Sequence, residues 1–102
     1  MNIREFVEAM AAMGVDRESA EGLIWIAASP SDLTARPFNF VRSEGGIVEI
    51  LEPDGRGGYT KAQNRDGTVF AGASIEDAYG YVAAIECRNR EIYREWLQKR
   101  PR

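Results

Sequence analysis

The chain has 102 residues, 44% of them hydrophobic and 28% charged, a net charge of −3, no histidine and a single cysteine, Cys87. Histidine is the side chain whose ordinary pKa, about 6.5, suits a general acid or base near neutrality, and it is the commonest metal ligand. Its absence excludes Ser-His-Asp and Cys-His nucleophile systems, and zinc sites of cysteine and histidine, which need about three or four such ligands.

In chain order, Ile3, Phe6, Val7, Met10 and Met13 fall at helical spacing and Gly14 follows as a C-terminal cap, which predicts a first helix over 3–13. Asp16 can cap a second helix with Ala20, Leu23, Ile24 and Ala27 on its apolar face, although Gly22 weakens it. The run at residues 23–28 is apolar on every side, so periodicity leaves it open between a buried helix and a short strand. Ser29-Pro30-Ser31-Asp32 has the pattern of an N-cap, a first-turn proline and an acid, which predicts one further helical turn before Pro37.

From Phe38 the punctuation changes to glycine-rich turns at Glu44-Gly45-Gly46, Pro53-Asp54-Gly55 and Arg65-Asp66-Gly67. The segments between them, 38–43, 47–52, 59–63 and 68–72, have strand lengths, and short turns join strands as antiparallel neighbours. A three- to four-stranded antiparallel meander is therefore expected. Ser74 and Asp77 then form a capping box for a long helix to about residue 98. Ile75, Ala78, Tyr79, Val82, Ile85, Ile92, Tyr93, Trp96 and Leu97 lie on one stripe of it, the face expected to cover the sheet, and Asn89 interrupts that stripe. Gly80, Ala83, Ala84 and Cys87 line a flank of small residues, where the N-terminal helices would pack, burying Cys87, or where a second copy would pack as a homodimer.

The fold class that results is α+β: N-terminal helices, the meander, and a long C-terminal helix packed on one sheet face, in one domain over 1–102. Helix, three strands and helix, with Gly72-Ala73-Ser74-Ile75-Glu76-Asp77-Ala78 and Ala83-Ala84, resemble the order in double-stranded-RNA-binding domains. Those domains carry phosphate-holding lysines at the start of the last helix. Here Glu76 and Asp77 stand there and would repel a phosphate backbone, so the resemblance implies topology alone.

One cysteine forms no internal disulfide, no apolar run approaches the roughly 20 residues of a membrane span, and residues 1–17 lack a signal peptide's pattern. A cytoplasmic location without membrane contact is the expectation. Charge runs −3 over residues 1–37, −1 over 38–73, −2 over 74–85 and +3 over 86–102. Arg56-Gly57-Gly58-Tyr59 leads into a strand rather than opening a helix, so it reads as a turn and not a phosphate loop. The acids Glu44, Glu49, Glu52 and Asp54 are the only plausible catalysts left, and they read more simply as a solvated sheet face.

No cofactor or metal is expected, and no enzymatic activity. The function expected is protein–protein interaction, in the form of a phage or mobile-element inhibitor of a host enzyme or defence complex, as anti-CRISPR proteins are; this rests on analogy of size and type. The partner would be a host protein or complex, itself nucleic-acid-binding, met by the acidic rim at Glu49, Glu52, Asp54 and Arg56 or by Tyr81, Arg88, Arg90 and Arg94. The alternative is a nucleic-acid-binding regulator that uses the basic C-terminal helix, including Arg100.

Overall fold

Asn2 and Glu5 close a reciprocal cap at the start of α1 (Ile3–Ala12): the Glu5 amide donates to Asn2 Oδ1 at 2.8 Å and the Asn2 amide to Glu5 Oε1 at 3.0 Å. In this computed structural model, which describes residues 1–99, the helix gives way to Gly14 in the left-handed region at φ 85°. Asp16 then caps α2 (Arg17–Gly22) by accepting from the Ser19 amide at 2.7 Å. The ambiguous apolar run resolves as a strand, β1 (Ile24–Ala27), in which Ile24, Trp25 and Ile26 suit a pleated, half-buried surface better than a helix.

The helical turn expected at Ser29-Pro30-Ser31-Asp32 does not form. Asp32 is used otherwise: its Oδ2 accepts from the Ala28 amide at 3.0 Å and its carbonyl from Trp25 Nε1 at 2.9 Å. Residues 28–37 are thus a loop tied to the end of β1, and they carry the chain back to start β2 (Phe38–Arg42) at the same end. As a result β1 and β2 are parallel, with Ile24 opposite Phe38 and Ala27 opposite Val41.

After a 3-10 turn at Glu44–Gly46 come β3 (Val48–Pro53) and β4 (Tyr59–Lys61), each antiparallel to its predecessor, in the order β1-β2-β3-β4. The sheet is therefore mixed, where a purely antiparallel meander was expected. The turn argument holds from Phe38 onward but not across 28–37. Ten residues can span over 30 Å, more than twice the roughly 13 Å length of a four-residue strand, so that loop has reach enough for a parallel return.

The strand expected at 68–72 is reduced to two bridges, Gln63 with Val69 and Val48 with Gly72. The chain leaves the sheet after Ala62, turns, and drops back so that Gly72 takes β4's place beside the start of β3, exchanging bonds of 2.8 and 2.9 Å with Val48. Glycine makes that close return without crowding its neighbours. A Cβ there would stand 3.0 Å from the Phe70 ring and 3.1 Å from Asp77 Cβ. The parallel β1 and the additional α2 also depart from the helix, three strands, helix order of double-stranded-RNA-binding domains.

The last helix, α3 (Ile75–Lys99), starts where the Asp77 amide donates to Ser74 Oγ at 3.3 Å and the Ala73 amide to Asp77 Oδ2 at 2.9 Å. Its first half lies across the sheet face formed by Ile24, Phe38, Phe40, Val48 and Ile50, with α1 packed beside it. Tyr79 joins the three layers, its ring 5.3 Å from that of Phe6 in α1 and 5.2 Å, nearly edge-on, from Phe40 in β2. Of the small-residue flank, Ala83 is buried as expected against the core, but Ala84 and Cys87 are exposed, on a side of α3 that faces an open cleft beside residues 63–65.

On the opposite sheet face Asn39 is fully buried, with 0% exposure, and every polar atom of its side chain is used. Its Oδ1 accepts from the Thr34 amide at 2.8 Å and the Thr34 hydroxyl at 2.9 Å, while Nδ2 donates to the carbonyls of Thr34, Arg36 and Leu51 at 3.2–3.3 Å. The loop that makes β1 parallel is thereby fastened to both β2 and β3. Replacing Asn39 with alanine leaves buried amide and carbonyl groups without partners, at about 1–3 kcal/mol for such a group. Urea unfolding of Asn39→Ala is expected to show a loss of about 2–4 kcal/mol with an unchanged m-value.

Candidate functional site

The eight surface residues singled out from sequence do not form one site. Glu49 pairs with Lys61 at 2.9 Å across β3 and β4. Alternation along β3 puts Glu49 and Glu52 on opposite faces, so these carboxylates do not converge as an acid and base pair would. Asp54 is taken by its own turn: Oδ1 accepts the amides of Arg56 at 2.7 Å and Gly58 at 3.0 Å, and Arg56 is exposed at the turn's tip. Arg90 reaches Glu86 at 3.7 Å, and Arg94 is exposed on the outer helix. Arg100 and Arg102 lie outside the described residues.

Glu52, Tyr81 and Arg88 do come together. Tyr81 stands on α3 above the edge of the sheet and donates its hydroxyl to the Gln63 carbonyl at 2.6 Å, with its ring 4.8 Å from that of Phe70. Partial burial, then the Glu52 charge, pushes the Tyr81 phenol above its ordinary value, and the Arg88 guanidinium pulls it the other way. Desolvation beside α3 pushes the Glu52 carboxyl up as well. Two clefts flank the Tyr81 bridge. One of about 440 Å³ is lined by Glu52, Thr60, Lys61 and Ile85; the other, of about 470 Å³, lies between the loop at Gln63, Asn64 and Arg65 and the α3 residues Ala84, Cys87, Arg88 and Glu91. The Cys87 thiol there donates to Glu91 Oε1 at 3.6 Å.

The largest departure from expectation lies farther along α3. A helix of 25 residues is about 37 Å long, whereas strands of three to six residues run only about 10–20 Å. The helix therefore outruns the sheet. Ala78, Tyr79 and Val82 are buried, but Ile92, Tyr93, Trp96 and Leu97, on the same face about three to five turns later, are 58%, 59%, 54% and 44% exposed. Tyr93 and Trp96 stack with ring centroids 6.1 Å apart. The molecule is accordingly elongated, 51 × 31 × 25 Å. Asn89 marks the changeover: it is exposed, at the turn where the face leaves the body.

Among the described residues no helix is long and apolar enough to cross a membrane, and no cluster of three or more acids and cysteine could hold a metal ion. No family model, no curated protein and no solved structure matches the chain.

Glu52 supplies a pH prediction. Its pKa is higher folded than unfolded, so its ionisation opposes folding, and the stability it contributes is present in acid and lost as pH rises through the raised value. Glu52→Gln is therefore expected to raise the melting temperature at pH 7 and to leave it unchanged near pH 3. Tyr81→Phe removes the hydroxyl that ties α3 to the 63–69 loop, and is expected to cost about 0.5–1.5 kcal/mol in the same unfolding experiment.

Proposed function

We propose that the protein acts by binding another protein, with no catalytic step of its own, and that the distal stripe of α3 is the docking face. The observation that carries this is the exposure of Ile92, Tyr93, Trp96 and Leu97 on one continuous helix face. Exposed apolar patches of this kind, with aromatic anchors and an arginine surround, are how interfaces differ from ordinary surface. Tyrosine and tryptophan are also the residues most enriched where binding energy concentrates. A histidine-free chain of 102 residues fits a binding protein better than an acid–base catalyst. The specific form proposed is a small inhibitor that occupies a surface of a host enzyme or defence complex, as anti-CRISPR proteins do.

The nucleic-acid reading has less support. Arg88 and Arg94 lie on different sides of α3, and Arg90 is drawn to Glu86, so the three arginines present no single basic face.

Affinity capture from a nuclease-treated host lysate, with wild-type protein and the Ile92→Asp/Leu97→Asp double variant as baits, tests the proposal. Both substitutions are at exposed positions and should leave stability within about 1 kcal/mol. The wild type is expected to retain a stoichiometric protein that the variant, folded by circular dichroism, loses. Equal retention by both baits would contradict the docking face, and recovery of nucleic acid alone would favour the arginine reading.

A further inference from the structure

We infer that the occupant of the distal stripe is a second copy of this chain, laid antiparallel so that the two overhanging halves of α3 cover each other. The inference rests on reading the stripe as a protein-docking face: a second copy covers it in the purified protein, and a host partner of the kind proposed above would displace that copy.

The geometry of the overhang restricts how any helix can lie there. The stripe continues the face that, two to three turns earlier at Val82 and Ile85, packs on the core. A helix resting on it at the usual 8–10 Å separation therefore points, at one end, directly at the protein's own sheet. A second copy laid parallel would have to place its own body where the first body already stands. Laid antiparallel, each copy directs only the tip of its helix toward the other's body, and the bodies sit at opposite ends. The overhangs then match by construction, since each spans residues 86–99, about 20 Å of helix. Such an arrangement is isologous and closes at two copies.

Charge favours the same arrangement. The described overhang, residues 86–99, carries +1 (Arg88, Arg90, Arg94 and Lys99 against Glu86, Glu91 and Glu95), while the segments before it carry −3, −1 and −2. Antiparallel packing brings each basic tip to the partner's acidic body, whereas parallel packing would stack two basic tips and two acidic bodies. On the flank of α3 that holds Arg88 and Glu95, these residues lie on either side of Ile92, so a two-fold axis near Ile92 sets Arg88 of each copy near Glu95 of the other. Among the described residues neither has an ion-pair partner within its own chain. The other flank brings Arg94 toward Arg90, which enters the contact already drawn to Glu86. The apolar stripe is then covered and two oppositely charged pairs are completed.

Sedimentation equilibrium on the purified chain, over about a hundredfold range of concentration, tests this together with small-angle scattering. The expected result is a reversible monomer–dimer equilibrium and a dimer about 80 Å long, two 51 Å molecules sharing an overlap of about 20 Å. Ile92→Asp/Leu97→Asp should be monomeric throughout. Glu95→Arg should weaken the dimer at least about tenfold, and Arg88→Glu in that background should restore it. A wild type that stays monomeric, a dimer unaffected by Ile92→Asp/Leu97→Asp, or a dimer little longer than 51 Å would each overturn the inference. A monomeric wild type that still captures a host protein through the stripe overturns only the second copy and keeps the docking face. If stripe substitutions change neither self-association nor capture, both readings fall.

Discussion

The length difference between sheet and helix governs this molecule. Strands of three to six residues make a sheet that a helix of half α3's length would cover, and α3 has 25 residues. One amphipathic stripe therefore meets two environments. Its first half buries Ala78, Tyr79 and Val82 against Phe6, Phe40, Val48 and Ile50; its second half has no sheet beneath it. The apolar side chains on that second half are disfavoured in water, at roughly 25 cal/mol for each Å² left exposed. An interface would recover that free energy.

The body that ends under residue 85 is held at its far edge by polar contacts as much as by apolar ones. Asn39 fastens the 28–37 loop to β2 and β3, and Arg36, reaching over the Trp25 ring at 5.2 Å, donates to the Ile24 carbonyl at 2.8 Å on the outer side of β1. Together with the Asp32 contact to the Ala28 amide, this occupies backbone groups that an edge strand would otherwise offer to another chain. The opposite edge is a three-residue strand ending in Lys61, which is likewise a poor template for added strands. With both sheet edges blunted, association falls to the helix.

The sequence was most legible where a local rule acts alone. Asp16 and Ser74 cap the helices they were expected to cap, Gly14 ends α1, and the glycine turns after Phe38 fix the antiparallel pairs. It was least legible where a side chain has two possible uses. Asp32 suits a helix N-terminus and a loop clamp equally well, and the choice is made by Ala28 and Trp25, which the tetrapeptide pattern does not include. Asn39 looks like an ordinary polar residue in a strand, and its burial depends on a loop arriving from outside the segment. The stripe on α3 was legible as a stripe, and the signal for its exposure was also present: the expected strands were too short to cover it. The meeting of Glu52, Tyr81 and Arg88 depends on the angle between helix and sheet, which no spacing in the chain encodes.

Hydrogen exchange along α3 in dilute and in concentrated solution tests the central claim, that one helix is half core and half docking face. Amides of the first half should be protected at every concentration, close to the limit set by global unfolding. Amides of residues 86–99 should exchange quickly in dilute solution and gain protection as the protein is concentrated or a partner is added. Uniform protection of the whole helix in dilute solution would mean that the distal stripe is already covered within the chain, and would contradict the account.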